Sequence, residues 1–582
     1  MGRISRMINR VLHPVLRRLG PGYFNLQTGE VYNEHVQLAS VGVVALVPGY
    51  LLGGYSFGFE TRTNIIYALV YVELLLVALL LFLSGIAFFL DRFHVPVLLI
   101  LLGWSLAVWL TSEKDHFFTI FPPSTHSTLD QTAFLRPLDK RAAMETWLAE
   151  QERRLSVKPV LVVVCASGGG IEAAAWTARI LTGLSERLGD NFVRSIRLIS
   201  SVSGGSLGSM YFVESWYRGG RGNQGNPPSN DLANIVNSAT NSSLDGTTWG
   251  LVYPDFARLF IPALVSPDRD RGWAIEQAWR AAGLQPPPPK EPSTLPDAVR
   301  DTIDDFKFVM HRPFPLDTRL SQWRSAVAGG WLPATIFNAT VKESGEPMLL
   351  STVDVNPSAN RRVFGSGPGS YDGADISVVT AARLSATFPY VSPAATACYK
   401  NTSSQRGCLQ GFDEAIDHPH FVDGGYADAF GVDSAVAWLE PTLNNYSDRL
   451  GGAIIIQVRA FPETTSPVNT NDPLSFLARW LDGAIGPPAT LLAIRSSLQL
   501  KVRTLDLDQI RSHFRPGFVN TFVLEALHEG PLSWRLSEPQ KRSIECDWRD
   551  PRTQGVIEQL RAAVPGIASP AQPKLTACAT NE

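Results

Sequence analysis

The sequence predicts an α/β domain preceded by transmembrane α-helices. Two observations carry that expectation. Residues 65–90 form one long apolar run with a single charged residue, Glu73. Further along, an apolar strand-like run, a glycine turn and a helix-like segment occur twice in succession, the pattern of a parallel sheet. A chain of 582 residues has room for both parts. Its 51 basic and 54 acidic residues leave a net charge of only −3, which gives no basic field for nucleic acid. A hydrophobic content of 45% argues against a largely disordered chain.

The N-terminal region comes first. The run 65–90 has the length of a spanning helix, and residues 95–110 follow it as a shorter candidate with Pro96 at its start. Residues 38–59 are uncharged but interrupted by Pro48, Gly49, Gly53, Gly54 and Gly58, so a span, a re-entrant segment and an interfacial segment all remain open. Arg3, Arg6, Arg10, Arg17 and Arg18 suggest a cytoplasmic N-terminus. The expectation is an integral membrane protein with a membrane-embedded N-terminus. Three spans would carry the rest of the chain to the extracytoplasmic side, and two would leave it cytoplasmic. Cys398 with Cys408, and Cys546 with Cys578, are candidate structural disulfides that favour the former, while Cys165 sits in an apolar run as a buried thiol. The expected organisation is a membrane region over 1–115, a helical connection over 116–155, a main domain over 156–565 and a tail over 566–582.

In the main domain, residues 160–166 read VLVVVCA, a continuous apolar run suited to a central parallel strand. A glycine turn and a helix over 171–188 follow. Residues 193–200 are strand-like, and a second glycine turn leads to a helix over 207–217. Further strands are expected at 349–355, 452–460 and 520–524, and further helices at 142–154, 379–387, 432–439 and 553–564. Residues 251–265 read either as a core segment or as part of a lid.

Three motifs carry chemistry. Gly204-Gly205-Ser206-Leu207-Gly208 is a G-x-S-x-G between a strand and a helix. Such a tight turn projects a serine hydroxyl, so Ser206 is the expected nucleophile and Gly204, Gly205 and Gly208 its elbow. Gly168, Gly169, Gly170 and Ile171 end one strand and open a helix. Their amides can surround a developing oxyanion at the positive end of that helix. A phosphate loop is the rival, but no lysine-serine or lysine-threonine pair follows. Asp423-Gly424-Gly425 is ordinarily a turn, and beside the other two motifs Asp423 becomes a candidate base. His418, His420, His513 and His528 lie in no evident catalytic turn. No cysteine or histidine spacing matches a metal site, and no cofactor is expected.

These motifs, in this order, resemble the patatin-like phospholipase family over roughly residues 158–460. The segment 381–389, AARLSATFP, also resembles the helix-and-proline stretch before the family's aspartate. The resemblance implies a three-layer α/β fold and a serine acyl hydrolase working with a Ser206–Asp423 dyad and a glycine-rich oxyanion hole. It implies membrane lipids as substrates, with phospholipase A or lysophospholipase activity first. A neutral-lipid esterase is an alternative, and so is a membrane-anchored binding protein on an inactive hydrolase fold. The family's glycine segment commonly continues with a variable residue and then arginine or lysine. Here those positions are Ile171 and Glu172. Glu172 reads either as an ion-pair partner of Arg383 or Arg179 or as a sign of altered oxyanion geometry.

Overall fold

The computed structural model describes residues 32, 68–90, 96–111, 115–121, 134–222, 232–261, 269–283, 318–355, 361–367, 371–388, 391–399, 419–462, 498–528 and 533–564. The chain divides into two compact units. One comprises residues 1–114, 245–274 and 293–311, and the other comprises 115–244, 275–292 and 312–582.

The first unit holds helices α1 (Ala68–Leu90) and α2 (Val97–Thr111). Within it the backbone amide of Ala68 donates to Asp245 Oδ1 over 2.9 Å, and Trp104 Nε1 donates to the Phe260 carbonyl over 3.0 Å. Tyr71 is fully buried and meets Tyr253 edge-on, their rings 6.1 Å apart. The expectation of an integral membrane protein with transmembrane helices is not met. Among the described residues, no helix is long and apolar enough to cross a membrane. For α2 the reason is length: its 15 residues rise about 22 Å at 1.5 Å each, short of a ~30 Å hydrocarbon core. The expected segment 38–59 lies outside the described residues. Residues 251–255 form one π-helical turn, and Leu251, Leu259 and Ile261 are exposed.

The second unit is α/β, built on one sheet that has ten strands among the described residues, eight in the order β1-β7-β8-β4-β3-β2-β9-β10 and two off that path, β5 beside β4 and β6 beside β5. The strands are β1 (His116–Ile120), β2 (Val160–Ala166), β3 (Ile196–Val202), β4 (Ala334–Val341), β5 (Pro347–Ser351), β6 (Arg362–Val363), β7 (Ala395–Tyr399), β8 (Phe421–Asp423), β9 (Gly452–Arg459) and β10 (Val519–Glu525). β4, β3, β2, β9 and β10 run parallel, while β8 pairs antiparallel with β4. Every residue of β2, β3, β4 and β9 is buried, so both faces of the central sheet are covered. β2 coincides with the expected run. β3 starts three residues later than expected, because 193–195 complete the preceding helix. β4 was not expected at all: ATIFNATV mixes polar and apolar residues, although the sheet buries all of them.

The helices used below are α3 (Lys140–Arg154), α4 (Gly170–Ser195), α5 (Gly204–Gly222), α6 (Arg271–Ala282), α7 (Leu320–Ala328), α8 (Val378–Ser385), α9 (Val432–Tyr446), α10 (Glu538–Arg549) and α11 (Pro551–Ala563). β2–α4–β3–α5 is the doubled unit read from the sequence. Asp139 caps α3 by accepting from the Ala142 amide, and Ser377 caps α8 by accepting from Thr380. The α4 face carrying Trp176 and Arg179 meets the C-terminal elements. Trp176 Nε1 donates to Leu524, and the Arg179 guanidinium lies 4.6 Å from the Trp548 ring. Cys398 and Cys546 are disulfide-bonded, and Cys165 is a buried free thiol. Cys408 and Cys578 lie outside the described residues.

Candidate functional site

The site lies where the parallel strands β2 and β3 end. Both strands stop in glycine turns, and the two helices they feed start side by side. Gly169 has φ of +142° and Gly170 +60°, which suits residues without a Cβ. A Cβ on Gly204 would stand 1.7 Å from the Gly170 carbonyl oxygen. The two turns therefore touch backbone to backbone, and no side chain fits between them.

The serine that this turn presents is not the expected one. Ser203 is the first residue after β3 and has φ of +51°, a strained value for a residue with a side chain. Its Oγ donates to Asp423 Oδ2 over 2.6 Å. Ser206 lies in the first turn of α5 and is fully buried. Its hydroxyl sits 2.8 Å from Ser385 Oγ and 3.2 Å from Ser201 Oγ, not on Asp423. The expected Ser206–Asp423 pair is thus not formed, and Ser203 takes its place. The physical reason is helical phase: the first residue after the strand sits at the corner, while a residue three further on turns under it. The signal was present in the sequence. Ser203 stands directly before Gly204-Gly205, at the strand end, where an elbow residue belongs.

Asp423 ends β8 and is held from several sides. β8 pairs with β4, with Ala339 opposite Asp423. The Asp423 amide donates to the Thr387 carbonyl over 3.0 Å, and its carbonyl accepts from Thr340 Oγ1 over 2.9 Å. Its Oδ1 accepts from the Gly425 amide over 2.8 Å, as the cap of a short 3-10 turn that contains Gly424. Burial raises the Asp423 pKa to about 6, against the lowering effect of the Ser203 and Gly425 hydrogen bonds. Gln499 secures the loop beyond: its Oε1 accepts from the Ala429 amide, and its Nε2 donates to the carbonyls of Gly425 and Ala427.

The expected oxyanion segment is only partly available. The Gly168 amide donates to Ala429 and the Ile171 amide to Ser533, each over 2.9 Å. An amide has one proton, so these two are already committed. Among the described residues, the amides of Gly169, Gly170 and Gly204 meet no acceptor. They are the donors left at the corner, at the N-termini of α4 and α5. Gly205 and Gly208 continue α5.

Glu172 pairs with neither expected arginine. Arg179 binds Glu545 and Glu186, and Arg383 binds Glu276. Glu172 is 5% exposed, and its Oε2 has no hydrogen-bond partner among the described residues. Burial first, and then the Asp547 carboxylate, raise its pKa to about 7. His528 bonds to Asp547, His420 lies between Asp115 and Glu343, and His513 approaches Glu440. None of the three joins the Ser203–Asp423 pair. His418 and Pro389 lie outside the described residues.

No family model matches the chain, and no curated protein matches it. Among solved structures, the crystal structure of VipD from Legionella pneumophila is similar at 10% identity, over 69% of this chain and 67% of that one, with a TM-score of 0.27. A likeness that low carries no argument about function.

Proposed function

We propose that the protein is a serine acyl-ester hydrolase of patatin-like, three-layer α/β type, acting through a Ser203–Asp423 dyad on lipid esters. The observation that carries the reading is the 2.6 Å hydrogen bond from Ser203 Oγ to Asp423 Oδ2 at a positive-φ corner between strand and helix. Serine alone is a weak nucleophile and needs an adjacent base. A free aspartate is a weak base, and burial brings Asp423 to about 6. Ser203 Oγ attacks the ester carbonyl carbon while its proton passes to Asp423. The carbonyl π pair moves onto oxygen, where the Gly169, Gly170 and Gly204 amides support the charge. Collapse breaks the bond to the leaving alkoxide, which takes the proton from Asp423. Water then repeats the sequence on the acyl-enzyme, releasing the acid and restoring Ser203.

One feature supports a lipid substrate. Residues 498–513 are helical, and this helix, which holds the aspartate loop through Gln499, bears exposed Leu498, Val502 and Leu505 at i, i+4 and i+7. These apolar side chains form one stripe beside a catalytic loop, which suits an apolar acyl chain. Phospholipase A or lysophospholipase activity is the first choice within that class.

The test is labelling with a fluorophosphonate probe, followed by release of fatty acid from phosphatidylcholine and lysophosphatidylcholine. Ser203→Ala should abolish both, and Ser206→Ala should retain both. Labelling that survives in Ser203→Ala would refute the assignment. A labelled wild type that releases no acid from any lipid ester would refute the substrate class.

A further inference from the structure

The two members of the dyad come from elements far apart in sequence, and one short stretch of chain grips both. Ser385, the last residue of α8, accepts the Ser203 backbone amide on its Oγ over 3.1 Å. Two residues on, the Thr387 carbonyl accepts the Asp423 amide over 3.0 Å. Ser385 is itself fixed. It is fully buried and donates its own proton to the Asn338 carbonyl over 2.5 Å. Asn338 in turn reaches back to the nucleophile strand, its Nδ2 donating to Ser200 Oγ and the Ser201 carbonyl. The clamp cannot slide, because α8 is tied on its other side. There Arg383 pairs with Glu276 over 2.7 Å, and Thr380 Oγ1 donates to the same carboxylate over 2.9 Å.

The geometry points to Ser385 as a positioning residue for acyl transfer: its hydroxyl fixes the Ser203 amide, and with Thr387 it sets the distance between nucleophile and base. A serine held at φ of +51° tends to relax toward negative φ, because its Cβ crowds the backbone in the left-handed region. Relaxation would swing Oγ away from Asp423. The Ser385 acceptor opposes it by holding the amide on which that rotation turns. The Ser206 hydroxyl also reaches Ser385 Oγ, at 2.8 Å. Ser385 gives its own proton to Asn338 and can only accept in this contact, while Ser206 also donates to Ser201 Oγ over 3.2 Å, so its one proton is shared between the two acceptors. Ser206 is thereby a floor beneath the clamp rather than part of it.

This inference rests on the Ser203–Asp423 reading, and its test separates the two. The rate of fluorophosphonate labelling, with kcat and KM on a soluble short-chain ester, is measured for wild type, Ser385→Ala, Ser385→Cys, Ser385→Thr and Ser206→Ala. Ser385→Ala should label at least tenfold more slowly, with kcat reduced and KM within twofold. Ser385→Cys nearly preserves volume but offers a weaker acceptor, so it should show the same loss. It keeps the test open if the alanine variant does not fold. Ser385→Thr keeps the hydroxyl and should recover most of the rate. A readout that a packing defect alone would not move is the acid limb of kcat. Loss of the Ser203 hydrogen bond removes an interaction that holds the Asp423 pKa down, so the limb should move to higher pH in the alanine and cysteine variants. Wild-type labelling rates in a folded Ser385→Ala or Ser385→Cys protein would overturn the inference while leaving the dyad intact. An equal loss in Ser206→Ala would also overturn it. Labelling that persists in Ser203→Ala would instead remove the reading beneath it.

Discussion

Ser203 Oγ lies 2.6 Å from Asp423 Oδ2, although the two residues are 220 positions apart in the chain. β3 delivers the serine and β8 the aspartate, and β4 lies between the two strands. β4 is hydrogen-bonded to each of them, so the sheet brings the two strand ends together, and the hydrogen bonds to Ser385 and Thr387 fix the final separation. That rigidity is what a general base needs, since proton transfer depends on a short, held contact.

The base defines a pH dependence. Asp423 accepts a proton only when ionised, and its pKa stands at about 6. Hydrolysis should therefore be near its plateau at pH 8 and fall about tenfold per unit below pH 6. Asp423→Asn should lower kcat by a factor of about 10²–10⁴ and abolish that limb. A kcat profile flat from pH 8 to pH 4.5 would contradict the assignment.

The meeting of the two turns predicts a narrow tolerance. Gly204→Ala places a methyl 1.7 Å from the Gly170 carbonyl oxygen, so the turns must part. Overpacking of this kind costs about 1–3 kcal/mol. The variant should melt several degrees lower and lose probe labelling together with ester hydrolysis. Wild-type turnover in Gly204→Ala would show that the turns are not in contact.

Glu172 should act on stability. Its carboxyl titrates at 4.5 in an unfolded chain and at about 7 in the folded one, because burial disfavours the charge. The native state holds a proton that the unfolded state releases. Stability is therefore full below pH 4.5 and is lost as pH rises through about 7. Glu172→Gln removes that loss. Its melting temperature should exceed that of wild type at pH 8, with the difference closing toward pH 4.5. Thermal melts at both pH values check the sign.

Gln499 braces the aspartate loop through the Ala429 amide and two carbonyls. Gln499→Ala should cost roughly tenfold in kcat/KM, as expected for about 1–1.5 kcal/mol of lost hydrogen bonding. Gln499→Glu keeps the acceptor for Ala429 but not the donors, so it should fall between. An unchanged kcat/KM in the alanine variant would show that the loop holds its shape without this brace.

Much of the architecture was legible in single stretches of sequence. The run 160–166 is apolar throughout because its strand is buried on both faces, and nothing but a central strand suits it. Asp423-Gly424-Gly425 and the 168–170 turn were legible because glycine marks places where backbone must bend or touch backbone. β4 was hidden for the opposite reason. Thr335, Asn338 and Thr340 make it look half-exposed, yet the sheet buries them, and Asn338 and Thr340 spend their polar atoms on the site.

The sequence by itself determined an α/β domain, two glycine turns after parallel strands and an aspartate turn downstream. Those features depend on local backbone freedom and on runs of apolar residues, which can be read from neighbours in the chain. Tertiary structure decided which serine faces the aspartate, which glycine amides stay uncommitted, and that no described helix is long and apolar enough to cross a membrane. Serines 203 and 206 differ by less than one helical turn, a distinction that composition cannot carry. It is settled by helical phase at the strand end and by the hydrogen bonds that Ser203 donates to Ser385 and Asp423, residues about two hundred positions away.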